Sequence, residues 1–132
     1  MHHFNVKTYY EDTDLAGIVY YANYLKFIER ARSEAVADAG IDQMAMKADH
    51  GVVFVVRHLD ADFLQSAKFG DVLDIATQIT EMGNARLRMR QVVTLENKEI
   101  FVATVTLAIM NGQGKPTRLP AEIRQKLQHL VM

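Results

Sequence analysis

Three acids, Glu11, Asp12 and Asp14, open the run YYEDTDLAGIVYYANYLKFIERARSEAVADAG, residues 9–40, just ahead of a helical pattern. A helix N-terminus carries unpaired N–H groups and a partial positive charge, so a carboxylate near it stays ionised easily. Acids in such places usually cap the helix. Two features here go beyond capping. Asp14 lies ten residues ahead of Tyr24, the first clear helical residue, which is farther than a cap reaches. Gly17 and the apolar pair Ile18-Val19 then lead the chain back inward. A carboxylate, a glycine that permits close approach and a run of backbone N–H groups therefore converge. Acyl chemistry needs those parts, an acid or base and donors for a developing oxyanion. Composition does not rank the two aspartates. Spacing favours Asp14, three residues from Gly17, and leaves Asp12 to organise the loop through backbone hydrogen bonds.

Other groups compete less well. Tyr20, Tyr21 and Tyr24 suggest a stacking platform for a ligand, although aromatics at a helix start are commonly core. Arg86, Arg88 and Arg90 alternate along one strand face, about 7 Å apart. Such a row is either a solvated face or a bidentate grip for phosphates, to which Lys115 and Arg118 of the late loop are candidates to add. At a net charge of −1, the row fits a phosphorylated small ligand better than a nucleic acid. Ser33 and Ser66 lie in no nucleophile elbow, and the glycines at 112 and 114 lack phosphate-loop spacing. The five histidines are scattered, so no metal site is expected, and His58 reads as a structural strand residue. The absence of cysteine excludes disulfides and thiolate chemistry.

The elements that must position these groups follow from periodicity. Tyr24, Leu25, Phe27, Ile28, Ala31, Ala35, Val36 and Ala39 recur at helical spacing, and Gly40 stands where a left-handed cap belongs. Alternating runs predict strands over 4–10, 52–64, 72–80, 86–95 and 100–110. In the long strand, Val53, Val55, Leu59, Ala61 and Phe63 share one face, and its half-polar end marks a sheet edge. Turns are expected at Gly83-Asn84 and Asn97-Lys98. Asp42–His50 is a mixed segment with room for a helical turn, and Pro120 opens a short helix carrying Ile123, Leu127 and Leu130. One 132-residue domain of the α+β class results, an antiparallel sheet with one long helix on a single face. With no secretory leader and no membrane-length apolar run, the expected compartment is the cytoplasm.

The stretch YYEDTDLAGIVYYANYLKFIERARSE resembles the signature of hotdog-fold acyl-CoA thioesterases of the 4-hydroxybenzoyl-CoA thioesterase family. The YbgC-type branch, associated with the Tol-Pal system, is nearest. The pattern D-x-D-x-x-G-x-V-x-Y-x-x-Y-L-x-x-x-E-x-A-R is matched throughout, and a weaker likeness continues through FVVRHLDADFLQSAKFGDVLDI. The resemblance implies a curved sheet wrapped around the long helix and hydrolysis of an acyl-CoA thioester. It implies Asp14 as the catalytic carboxylate and the Tyr21 backbone N–H as the group polarising the thioester carbonyl. It further implies homodimers joined edge to edge, often paired into homotetramers, and no cofactor. Many members of the branch carry His where this chain has Tyr21. A backbone donor is indifferent to that change, whereas an imidazole role would be missing. An acyl carrier protein is the alternative carrier to CoA. Two other functions share the fold's chemistry. A dehydratase or hydratase needs a His paired with an acid, and no His lies in residues 9–40. A non-catalytic acyl-CoA binding module has no need of the intact D-T-D-x-x-G.

Overall fold

Alternating sequence becomes strand because successive side chains point to opposite faces of a sheet. The computed structural model, which describes residues 1–132, turns β3 (Val72–Met82), β4 (Arg86–Leu95) and β5 (Lys98–Asn111) into an antiparallel meander. β1 (His2–Lys7) pairs with β3 and β2 (Val52–Phe63) with β5. The five strands therefore run β1-β3-β4-β5-β2, with β1 and β2 at the edges. The β4–β5 turn centres on Glu96-Asn97, one residue earlier than its sequence suggests. Leu95 pairs with Lys98, and both turn residues take positive φ (51° and 65°), as a two-residue hairpin of this hand requires.

The long helix α1 (Asn23–Asp38) buries Tyr24, Phe27, Ile28, Ala31, Ala35 and Val36 on one face of the sheet. Facing them are Leu73, Ile75 and Ile79 of β3, Leu87, Met89 and Val93 of β4, and Phe101, Ala103, Val105, Leu107 and Ile109 of β5. Each large side chain buried this way stabilises the fold by about 1.5–3 kcal/mol. Ala31 and Ala35 are sealed from solvent, so α1 lies close to the sheet; Leu25, although on the apolar pattern, is partly exposed. Gly40 takes φ 91°, and Ile41 donates its N–H back to Val36, closing the helix end. This α+β arrangement, a curved antiparallel sheet around one long helix, is the hotdog fold.

Three segments depart from their sequence patterns. β1 stops at Lys7, because Thr8 turns inward to donate its hydroxyl to the carbonyls of Lys68 and Asp71. Residues 42–50 form a full helix, α2 (Gln43–His50), whose Asp42 carboxylate accepts from Met44 and Ala45 N–H while Gly51 closes it at φ 67°. In β2 the pairing slips between Val56 and His58, a bulge that leaves Arg57 unpaired. Val53 and Val55 therefore do not share a face with Leu59, Ala61 and Phe63. Phe54 and Val56 do, because they pair with the inward Ile109 and Leu107 as Phe63 pairs with Phe101. The last helix, α3 (Ala121–Leu127), is capped by Pro120, and with the following turn it buries Ile123, Leu127 and Leu130.

Candidate active site

The loop from β1 to α1 is built by its backbone. The Asp12 carboxylate accepts from Tyr9 N–H at 2.8 Å, and the Asp12 carbonyl accepts from Tyr20 N–H and Asn23 Nδ2, each at 2.9 Å. Asp12 thus ties the end of the first strand to the start of the helix. Asp14 N–H donates to the Ile18 carbonyl and Gly17 N–H to the Asp14 carbonyl, each at 3.0 Å. Gly17 closes this turn at φ 81°, a conformation that costs an L-residue about 1–2 kcal/mol. Val19 N–H then donates to Ala67 at 2.8 Å, anchoring the loop to the segment after β2. Asp14 is left exposed at the tip. One carboxylate oxygen accepts from Ala16 N–H at 2.9 Å; the other has no partner within the chain.

At the start of α1, Asn23 and Tyr24 donate to the carbonyls of Tyr20 and Tyr21. The N–H groups of Tyr21 and Ala22 donate to nothing in the chain, although Ala22 already has helical φ and ψ (−68°, −20°). Two adjacent donors are therefore free at the positive end of a sixteen-residue helix.

A hollow of about 310 Å³ brings Asp14 and Tyr21 together with Ile18, Val19, Tyr20, Tyr24 and the segment 63–66. A second, of about 580 Å³, is lined by Asp14 and Gly17 with Tyr10, Thr13, Leu15 and Phe69. Asp14 is common to the two. Of the tyrosines, Tyr20 and Tyr21 are exposed on the first hollow. Tyr24 belongs largely to the core. It stacks on Phe101 at 5.1 Å and 8°, and its hydroxyl accepts from Ala67 N–H at 3.1 Å. Burial pushes its phenol pKa up; the Ala67 hydrogen bond opposes this and the Asp71 charge adds to it. Phe63, for which the sequence offers no site signal beyond an apolar residue closing an acid-rich strand, stands edge-on to Tyr21, Tyr24 and Phe101 at 6.0, 5.9 and 5.1 Å.

Arg86, Arg88 and Arg90 do not join this site. Leu87, Met89 and Val93 fill the α1 side of β4, so the arginines project from the opposite face, where Arg88 pairs with Glu81 at 3.2 Å. Val93 pairs with Phe101 behind the hollow. Arg86 is seven residues from it, roughly 23 Å along the strand. No group of three His, Asp or Glu side chains is placed to hold a metal ion.

Residues 9–127 match the Thioesterase-like superfamily. The acyl-CoA thioesterase YbgC of Haemophilus influenzae is 35% identical over 128 residues, covering 96% of this chain and 94% of that protein. The acyl-CoA thioester hydrolase YbgC of Escherichia coli O6:H1 is 36% identical over 126 residues, or 91% and 93% of the two chains. The crystal structure of a probable thioesterase from Bartonella henselae matches with a TM-score of 0.86 at 38% identity, covering 90% of this chain and 98% of that one. The chain belongs to the thioesterase-like superfamily, and like these relatives it is a thioester hydrolase.

Proposed function

We propose that the protein hydrolyses acyl-CoA thioesters at Asp14, with the free Tyr21 N–H receiving the carbonyl oxygen. One observation carries this reading: a single hollow is lined by an exposed carboxylate and by the residue whose backbone donor has no acceptor. As the tetrahedral intermediate forms, negative charge grows on that oxygen. A fixed N–H at a helix N-terminus stabilises it without reorganisation. Asp14 acts in one of two ways. As a base it takes a proton from water, whose oxygen attacks the carbonyl carbon. As a nucleophile its own oxygen attacks, and water then opens the mixed anhydride. In either case the C–S bond breaks and the thiolate leaves to be protonated. Single-turnover hydrolysis in labelled water separates the two, because only the nucleophilic route exchanges a carboxylate oxygen of Asp14.

The outer hollow faces solvent and suits the pantetheine arm. We assign the β4 arginines to the distant nucleotide phosphates of CoA; an acyl carrier protein, which lacks that nucleotide, is the alternative carrier. The free edge of β2, with Val55 and Val56 exposed, is the surface on which a second copy would pair to give a homodimer, and dimers a homotetramer. No helix is long and apolar enough to cross a membrane, and we place the reaction in the cytoplasm. The decisive assay is thiol release from a panel of acyl-CoAs. Release by the wild type and its loss in Asp14→Asn are expected. Intact acyl-CoA throughout, with binding retained, would leave only a binding module.

A further inference from the structure

Arg32 is the only charged residue of α1 that is not exposed, and it has no counter-charge. Lys26, Glu29, Arg30, Glu34 and Asp38 lie in solvent, whereas Arg32 is half-buried. Its one hydrogen bond runs from Nη1 to the neutral Gln91 Oε1 at 3.0 Å. Glu29, almost one turn back, accepts instead from the Ser33 hydroxyl at 3.1 Å. Arg88 and Lys126, by contrast, each have a carboxylate beside them. Most of the Arg32 N–H donors are therefore free. A charge drawn out of water is costly unless an opposite charge meets it.

Arg32 lines a hollow of about 170 Å³ that shares no residue with the two at Asp14. Its apolar walls include Val36 and Leu107, which are buried, and Phe54, which is half-buried. A cavity of about 150 Å³ is enough to take up benzene. The hollow is open on one side, where Ser33 and Gln43 continue into a wider one of about 440 Å³. These walls select a chemistry. A guanidinium fork takes a carboxylate through paired hydrogen bonds, and the apolar side takes a hydrocarbon body. Glu29 faces the same space, so a single negative charge is tolerated better than the two of a phosphate. A neutral ligand would leave the guanidinium uncompensated. Val56, at the rim, belongs to the β2 edge, so a carboxylate from a second copy is the competing counter-charge.

We propose that this hollow is a second ligand site, in which Arg32 binds a monocarboxylate with a small apolar body. On the thioesterase reading above, that class includes the acid the enzyme releases. The test is an NMR titration of the whole protein with butanoate and benzoate, and with butanamide and inorganic phosphate as comparisons. Wild type, Arg32→Met, Arg32→Lys and Glu29→Gln are compared. The two acids should bind wild type saturably, and butanamide and phosphate at least ~10-fold more weakly. Arg32→Met should weaken the acids at least ~10-fold, as loss of a charge-assisted hydrogen bond does. Arg32→Lys should fall between, because an ammonium keeps the charge and lacks the fork. Glu29→Gln changes an exposed side chain outside the Gln91 network, so it serves even where Arg32→Met folds poorly. It should tighten acid binding a few-fold, and more so at low salt. Acid binding that is unmoved in both Arg32→Met and Glu29→Gln puts the acid at Asp14 and overturns the proposal. So does a wild type that binds no acid, and light scattering that shows Arg32→Met dissociating would then assign the counter-charge to a second copy. Turnover is not read in this titration. A protein that binds the acids at Arg32 yet hydrolyses no acyl-CoA would overturn the thioesterase reading and leave this site standing.

Discussion

Helix α1 meets polar groups at two places and treats them in opposite ways. At its start, Asp14 is exposed with one oxygen unengaged, and the N–H groups of Tyr21 and Ala22 are free. Halfway along, Arg32, Gln91 and Thr77 are turned inward and consume one another. Arg32 Nη1 donates to Gln91 Oε1 at 3.0 Å, while Gln91 Nε2 donates to the Ile28 carbonyl and to Thr77 Oγ1, each at 2.9 Å. Burial lowers the Arg32 pKa, and the nearby Glu29 charge partly restores it. The second cluster fixes how the helix sits on β3 and β4, and the Gln91 amide at its centre is engaged at both its oxygen and its nitrogen. An exposed carboxylate beside two free backbone donors, rather than polarity as such, is the ground for proposing the first as the site.

Substitutions can break this contrast. Asp14→Asn keeps shape and removes charge, so kcat should fall at least ~10²-fold while the thermal midpoint barely moves. Near-wild-type turnover on every substrate would remove Asp14 from the chemistry. Gln91→Leu should do the reverse. It removes the partner of half-buried Arg32 and of buried Thr77 and should cost about 1–3 kcal/mol in urea unfolding, with kcat per folded molecule retained. Adding Arg32→Met should recover part of that loss, since the half-buried guanidinium then no longer lacks its Gln91 acceptor. If the double variant is no more stable than Gln91→Leu alone, the network is not coupled as drawn.

Gly17→Ala sharpens the contrast within the first cluster. A Cβ there meets nothing within 4 Å, so the penalty is conformational, about 1 kcal/mol, and it falls on the turn that holds Asp14. Turnover should drop by a larger factor than stability accounts for. Tyr24→Phe leaves Ala67 N–H without its acceptor, at about 1 kcal/mol near neutral pH. Its pH signature has a fixed sign. The raised Tyr24 pKa means the fold favours the protonated phenol, so this stabilisation is full below the unfolded value near ~10 and is lost as pH rises through the higher folded value. Wild-type stability should thus decline more steeply in strong alkali than that of Tyr24→Phe; parallel curves would show that the phenol is solvated. Arg88→Ala, outside both clusters, should have the smallest effect. KM for acyl-CoA should rise a few-fold with kcat unchanged, and a pantetheine thioester should show no rise. Equal change on the two substrates would make the arginine merely the partner of Glu81.

Much of this architecture is legible in the chain. The meander, the helix and its cap at Gly40 follow from local periodicity and turn chemistry, and the edge character of β2 from its half-polar end. Asp12 is found tying the loop through backbone donors, as its place beside the turn suggests. What is not legible depends on contacts distant in sequence. Gln91 interrupts an apolar face and looks like an error until Arg32 and Thr77 are beside it. The arginine row alternates as a binding surface would, but only pairing fixes which side of the sheet it occupies. Phe63 becomes a wall only once β5 brings Phe101 beside it. Helix α2 was readable from Asp42 and Gly51, an N-cap and a left-handed stop at the right distance, although its apolar stripe is too short to announce itself.

The unpaired Arg57 has a consequence at the level of the gene. From Val56 to Leu59 the inward face advances by three residues, and the one residue left over between them absorbs the odd step. Were Arg57 drawn into the ladder, everything downstream would invert, with Asp60 and Asp62 turned toward Ala103 and Phe101 and Leu59, Ala61 and Phe63 turned to the other face. Loss of that single codon has no such effect. Val56 and His58 would follow one another opposite Leu107 and Thr106, and Leu59, Ala61 and Phe63 would keep their side. At this position the reading frame of the faces should survive removal of a letter, whereas an in-frame deletion between His58 and Phe63 would turn the residues beyond it the wrong way.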